Sequence, residues 1–110
     1  MTPSLEILDR FQNWFFSQCD GSWEHDEGVD ISTLDNPGWA VTINISRYDI
    51  SDIGQERREF ERGGGDWIHW WIDERPQKLS FEARCGATNL KEVLAIFLTM
   101  FENRRFLPDS

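Results

Sequence analysis

The chain has 110 residues, 39% hydrophobic and 14% aromatic, enough for one domain that buries roughly 65% of its unfolded surface and too little for two. That aromatic content argues against a disordered segment. A formal net charge of −9 argues against nucleic acid and membrane as partners and favours cationic ones.

Taken in chain order, Thr2 caps a helix that starts at Pro3. Leu5, Leu8, Phe11, Trp14 and Phe15 recur at helical spacing within it, and Gly21 stops it. Alternation of Val29, Ile31 and Thr33 against Asp30 and Ser32 predicts a strand over 28–34. A second is predicted over 39–46, where Trp39, Val41, Ile43 and Ile45 face away from Ala40, Thr42, Asn44 and Ser46. Between them, Asn36 opens a turn of type II, with Pro37 fixing the φ of its second position and Gly38 supplying a positive φ at its third.

Residues 47–55 contain Ser, Asp and Gly and read as a loop that does not touch the core. A short polar strand over 57–62 leads to Gly63-Gly64-Gly65. The run DWIHWWID is then apolar on both faces: Trp67, His69 and Trp71 on one, Ile68, Trp70 and Ile72 on the other. Over 78–85, Leu79, Phe81, Ala83 and Cys85 alternate with Ser80, Glu82 and Arg84. The last element is a helix capped by Thr88 or Asn89, with Glu92 completing a capping box for Asn89. Its inward stripe is Leu90, Val93, Leu94, Phe97 and Phe101, and Pro108 lies beyond its end. The fold class is therefore α+β: residues 1–110 form a single domain, an antiparallel meander of about five strands with an N-terminal and a C-terminal helix.

Charge is concentrated. No lysine or arginine occurs between Arg10 and Arg47, while Asp20, Glu24, Asp26, Glu27, Asp30 and Asp35 supply six negative charges there. A solvated loop without a role is one reading of such a run. Catalysis is another, with Glu24 and His25 as acid and base, or Cys19 as a nucleophile beside His25. Against it, neighbouring residues in a loop point apart, and neither an orienting third group nor a phosphate-binding glycine loop is identifiable. Metal binding by Asp20, Glu24, His25 and Asp26 lacks the spacing that selects an ion. No metal or cofactor is expected. Nothing at the N-terminus reads as a secretory signal and no apolar run reaches a membrane span, which predicts a cytoplasmic protein with Cys19 and Cys85 reduced.

The run NWFFSQCDGSWEHDEGVDISTLDNPGWAVTINI, covering about 13–45, resembles the immunity protein 53 family of bacterial polymorphic toxin systems. The likeness rests on Trp14, on Cys19-Asp20-Gly21-x-Trp23-Glu24-His25, on Gly28, and on Thr33-Leu34-Asp35-Asn36-Pro37-Gly38-Trp39. Beyond position 45 it thins to Asp66-Trp67 and the final amphipathic helix. Ser22 stands where family members often carry an acid, and the tryptophan-rich strand is heavier than the family pattern. The resemblance implies a cytosolic antidote, without catalysis of its own, that binds a cognate toxin. Many such toxins act on nucleic acid and present a cationic cleft that clustered carboxylates fit.

Within the motif, Asp20, Gly21, Trp23 and His25 are expected to be scaffold. Asp20 would accept backbone N–H bonds, Trp23 would enter the core and His25 would satisfy buried carbonyls. Asp35, Asn36, Pro37, Gly38 and Trp39 would brace the hairpin. Toxin contact is expected at Glu24, Asp26, Glu27 and Asp30 and at Trp67 and Trp71. For the tryptophans two layouts remain: helices on opposite faces of the sheet, which bury them all, or helices on one face, which leaves an aromatic patch.

Overall fold

The computed structural model describes residues 3–54, 56–76 and 78–106. Thr2 and Pro108, expected at helix boundaries, lie outside them, as does the side chain of Leu5.

Helix α1 spans Pro3–Gln18. Ile7, Phe11, Trp14 and Gln18 form its inward face, whereas Leu8 and Phe15 are 53% and 36% exposed. The line through Leu8 and Phe15 sits roughly a quarter turn from the buried one. The stripe is rotated because Phe11 and Trp14 are the residues that reach Phe97 of the last helix, with ring centroids 6.1 and 4.6 Å apart. A single helical turn not foreseen in the sequence, α2 (Trp23–Asp26), follows. Trp23 is 2% exposed and meets Trp14 edge-on at 5.7 Å, so the acidic segment is pinned to the core by one indole.

Five strands follow: β1 (Val29–Leu34), β2 (Gly38–Asn44), β3 (Arg58–Gly63), β4 (Asp66–Arg75) and β5 (Lys78–Gly86). All pair antiparallel, in the order β1-β2-β5-β4-β3. The α+β class with a helix at each end is as expected. The strand order is more specific than a simple meander, since the β1–β2 hairpin and the β3–β4–β5 run join through β2 and β5. Helix α3 (Leu90–Phe101) closes the fold, with Val93, Leu94, Phe97, Leu98 and Phe101 buried.

Three local expectations are corrected. Gly38 is not among the glycines with positive φ; it is the first residue of β2, paired with Leu34 and Gly86. A Cβ there would stand 2.2 Å from the Cys85 carbonyl oxygen, so close approach of two strands selects glycine, and the turn residues are Asp35, Asn36 and Pro37. The 47–54 loop does touch the core. Tyr48 is 3% exposed and accepts a 3.0 Å bond from Trp14 Nε1, a polar group that an apolar pattern does not reveal. Finally, Asn89 precedes α3 but makes no side-chain cap bond. Its amide donates to Asp66 (2.8 Å) and its oxygen accepts from the Trp67 N–H (3.3 Å), while Glu92 pairs with Arg62 (2.6 Å) in place of a capping box. A charged guanidinium is the stronger partner for that carboxylate.

Both helices lie on one face of the sheet. Phe97 of α3 touches Phe81 of β5 at 5.3 Å and the two α1 aromatics on its other side. Cross-strand register puts Val41, Ala83 and Trp70 in one row of that covered face and Ile43, Phe81 and Ile72 in the next; all six are buried. The opposite set, including Trp67, His69 and Trp71, faces away from the helices.

Candidate functional site

Alternation along β4 sends Ile68, Trp70 and Ile72 into the core and leaves Trp67, His69 and Trp71 half-buried on the open face. The helices therefore share one side, and the aromatic patch exists. Register continues it across the sheet. Asp30, Thr42, Glu82 and Trp71 form one row, and Ser32, Ala40, Arg84, His69 and Glu59 the row beside it. Asp30 and Trp71 thus share a face, three strand spacings or about 14 Å apart.

The patch is held by charged neighbours. Trp71 lies between two guanidinium groups, Arg57 at 4.2 Å and Arg84 at 5.4 Å from its ring centroid. His69 Nε2 is 2.7 Å from Glu61 Oε2, and its ring meets Trp67 edge-on at 5.1 Å. Glu82 accepts bonds from the hydroxyls of Thr42 and Ser80, both 2.8 Å. The open face is aromatic along β4 and carries both signs of charge on either side of that strand. Arg57, Arg84, Glu61 and Glu82 were not singled out from the sequence. The wet-face alternation of 78–85 marks Glu82 and Arg84, but which strand they lie beside is a matter of pairing.

The acidic segment is organised differently. The Asp20 carboxylate accepts the N–H groups of Ser22 (2.9 Å) and Trp23 (3.0 Å) and pairs with Arg47. Those two amides first, then Arg47, hold its carboxyl below the usual aspartate range. Glu24 accepts from Asp20 N–H (2.9 Å) and Gly21 N–H (2.7 Å). Its own amide first, then those two, hold it low as well. Two of the six acids are thus bound to backbone. Asp26, Glu27, Asp30 and Asp35 are exposed.

Gly21, at φ +94, makes the reversal between α1 and α2. His25 departs from expectation: its side chain is 83% exposed and its nearest acid is Asp26 at 4.0 Å, because Trp23 takes the inward position of that one-turn helix. Trp39 lies on the covered face in register with Cys85 and donates its indole N–H to the Ala87 carbonyl at 3.0 Å. Asn36, Pro37 and Trp67 line one depression of about 280 Å³ with Gly64, Gly65, Ala87 and Thr88, so the hairpin turn borders the aromatic patch.

Chemistry at Cys19 is disfavoured. Its Sγ–H donates to the Phe15 carbonyl at 3.3 Å, and desolvation first, then Glu24 and Asp20, push its pKa up and keep it a thiol. Cys85 is buried and pushed up to about 11; both cysteines are free. Among the described residues, no group of three or more His, Cys, Asp or Glu side chains is placed to hold a metal ion. No described helix is long and apolar enough to cross a membrane.

The sheet is thus covered by helices on one side, open on the other with an aromatic and mixed-charge face, and flanked by an acidic turn that Trp23 anchors in the core. The chain belongs to the immunity protein 53 family, whose model matches residues 8–102. No curated protein and no solved structure matches it.

Proposed function

We propose that this chain binds and neutralises a cognate polymorphic toxin in the cytoplasm of the cell that makes it, through the open face of the sheet and the acids beside it. The toxin's contact surface is basic, as the cleft of a nuclease is. Family membership supports the immunity role. The observation that carries the choice of surface is the Trp67–His69–Trp71 row turned away from both helices and sharing its face with Asp30.

The two components contribute differently. Exposed ion pairs are worth about 0–1 kcal/mol each, so Asp26, Glu27 and Asp30 act mainly on encounter rate. A half-buried indole that becomes fully covered is worth about 2 kcal/mol or more, which is residence time. Glu24 sits among the acids but already satisfies two neighbouring amides, so its charge contributes to the field while its oxygens stay engaged.

The test uses the polypeptide encoded beside this gene. Changing Asp26, Glu27 and Asp30 to Asn or Gln is expected to slow association about tenfold at low salt with little change in dissociation. Trp71→Ala is expected to speed dissociation about 30-fold, the equivalent of 2 kcal/mol. Equal association and dissociation rates in both variants and the wild type would remove this surface from the mechanism.

A further inference from the structure

Among the described residues, strand β1 is an edge of the sheet, paired with β2 alone. Which of its backbone groups face outward follows from the ladder. Asn44 N–H donates to the Gly28 carbonyl at 3.1 Å, so Gly28 and Asn44 are a hydrogen-bonded pair. In an antiparallel ladder such pairs alternate, which makes Asp30–Thr42, Ser32–Ala40 and Leu34–Gly38 the bonded ones. The N–H and C=O groups of Val29, Ile31 and Thr33 therefore point away from the sheet. Asp30, Ile31, Ser32 and Thr33 are all exposed, with Ile31 at 38%.

The two edges are treated unequally. Strand β3, the other edge, carries Arg58, Glu59, Glu61 and Arg62 and a register irregularity between Glu61 and Gly63, the usual guards against pairing with another chain. Strand β1 reads VDISTL. It has no proline, no lysine or arginine and no bulge, and it presents an apolar side chain at the rim. An unguarded edge of six residues is a template for one more strand.

Its surroundings say what that strand is. Exposed Asp26, Glu27, Asp30 and Asp35 lie just before, within and just after it, without a lysine or arginine in 11–46. A second copy of this chain would bring the same acids to the same edge, a like-charge arrangement that costs stability. We infer that β1 is the strand onto which the toxin adds an extended segment of its own, making a sixth strand with basic residues on the side of Asp30 and apolar ones on the side of Ile31. This rests on the immunity reading above and specifies its geometry: the new strand would extend the open face that carries Trp71.

Proline scanning of the edge tests it. At Ile31→Pro and Thr33→Pro the lost N–H points outward, so the ladder to β2 stays whole. At Ser32→Pro the lost N–H is one that bonds β2, and that variant serves as the control for a disrupted strand. The expected result is that the first two keep the wild-type circular dichroism and bind the polypeptide encoded beside this gene at least tenfold more weakly. Backbone amides of Val29, Ile31 and Thr33 exchange freely with deuterium in the free wild type and become protected in the complex. Should the outward prolines also unfold the chain, exchange in the wild type decides alone. Binding within twofold of wild type by those variants, with the three amides still exchanging freely in the wild-type complex, overturns the inference and leaves the immunity reading standing. A wild type that does not bind overturns that reading, and the inference with it. A free chain that sediments as a dimer with these amides protected assigns the edge to a second copy, and also overturns it.

Discussion

Trp23 is the buried side chain that fastens the acidic turn to the core, and truncating it to alanine measures that attachment. The ring is 2% exposed, edge-on to Trp14 at 5.7 Å and tilted against Phe15 at the same separation. Removing a buried indole costs about 3–5 kcal/mol, transfer and cavity together. A chain of 110 residues unfolds with an entropy of about 0.23 kcal/mol/K, so each kcal/mol is about 4 °C, and Trp23→Ala is expected to melt about 13–22 °C below wild type. Trp23→Phe separates packing from polarity. The Trp23 indole nitrogen is buried and has no hydrogen-bond partner among the described residues, so phenylalanine loses some contact and no bond, about 1–2 kcal/mol. The same change at Trp14 removes its 3.0 Å bond to the buried Tyr48 hydroxyl, which adds about 1–3 kcal/mol. Thermal and urea unfolding followed by circular dichroism read all three. A Trp23→Ala chain melting within about 4 °C of wild type, or a Trp23→Phe as damaged as Trp14→Phe, refutes this account of how the turn is held.

Two further outcomes are expected. Gly38→Ala places a Cβ 2.2 Å from the Cys85 carbonyl oxygen and forces β2 and β5 apart, at a cost of about 2–4 kcal/mol in urea unfolding, whereas Gly54→Ala, with only the end of Arg58 at 3.9 Å, changes stability by about 0.5 kcal/mol or less. The depressed pKa of Asp20 makes its stabilisation complete above 3.8 and lost as pH falls through the lower folded value, so the urea midpoint of the wild type drops more between pH 6 and pH 2 than that of Asp20→Asn; equal drops in the two would contradict the bonding described.

How far the sequence reaches is visible at individual positions. Alternation finds Val41, Ile43, Phe81 and Ala83 in the core and Glu82 and Arg84 outside it, because a strand has only two faces and period two assigns them. A helix offers a continuous range of directions, and its apolar residues do not say which line faces inward. Phe15 and Leu8 fit the helical period as well as Ile7 does, and only the position of Phe97 decides between them. Strand order escapes for a different reason. That β2 pairs with β5 across 30-odd residues depends on which edges come together in three dimensions, and with it goes the fact that Arg57 and Arg84 flank Trp71. Asp20 is legible as a local device, since a carboxylate two or three residues from unpaired amides is an ordinary means of ending one helix and starting another, whereas Glu24, expected among the outward acids, turns back onto the Asp20 and Gly21 amides of the same turn.

That local device changes what the acidic run means. Counted in sequence, six carboxylates look like a single anionic surface. In the fold, Asp20 and Glu24 are used up in shaping the turn, and the exposed charge that remains is Asp26, Glu27, Asp30 and Asp35, which lead into, lie along and follow one unguarded strand. The central open face is not uniformly acidic, for Trp71 is flanked by two arginines and His69 by a glutamate. A uniform anionic patch attracts any cation, but mixed signs around an aromatic patch penalise a partner whose charges are misplaced. In the function proposed above, attraction and discrimination therefore fall to different residues: the acids beside β1 are the part that would draw a basic toxin in, and the charged groups around the aromatic patch are the part that would select among basic partners.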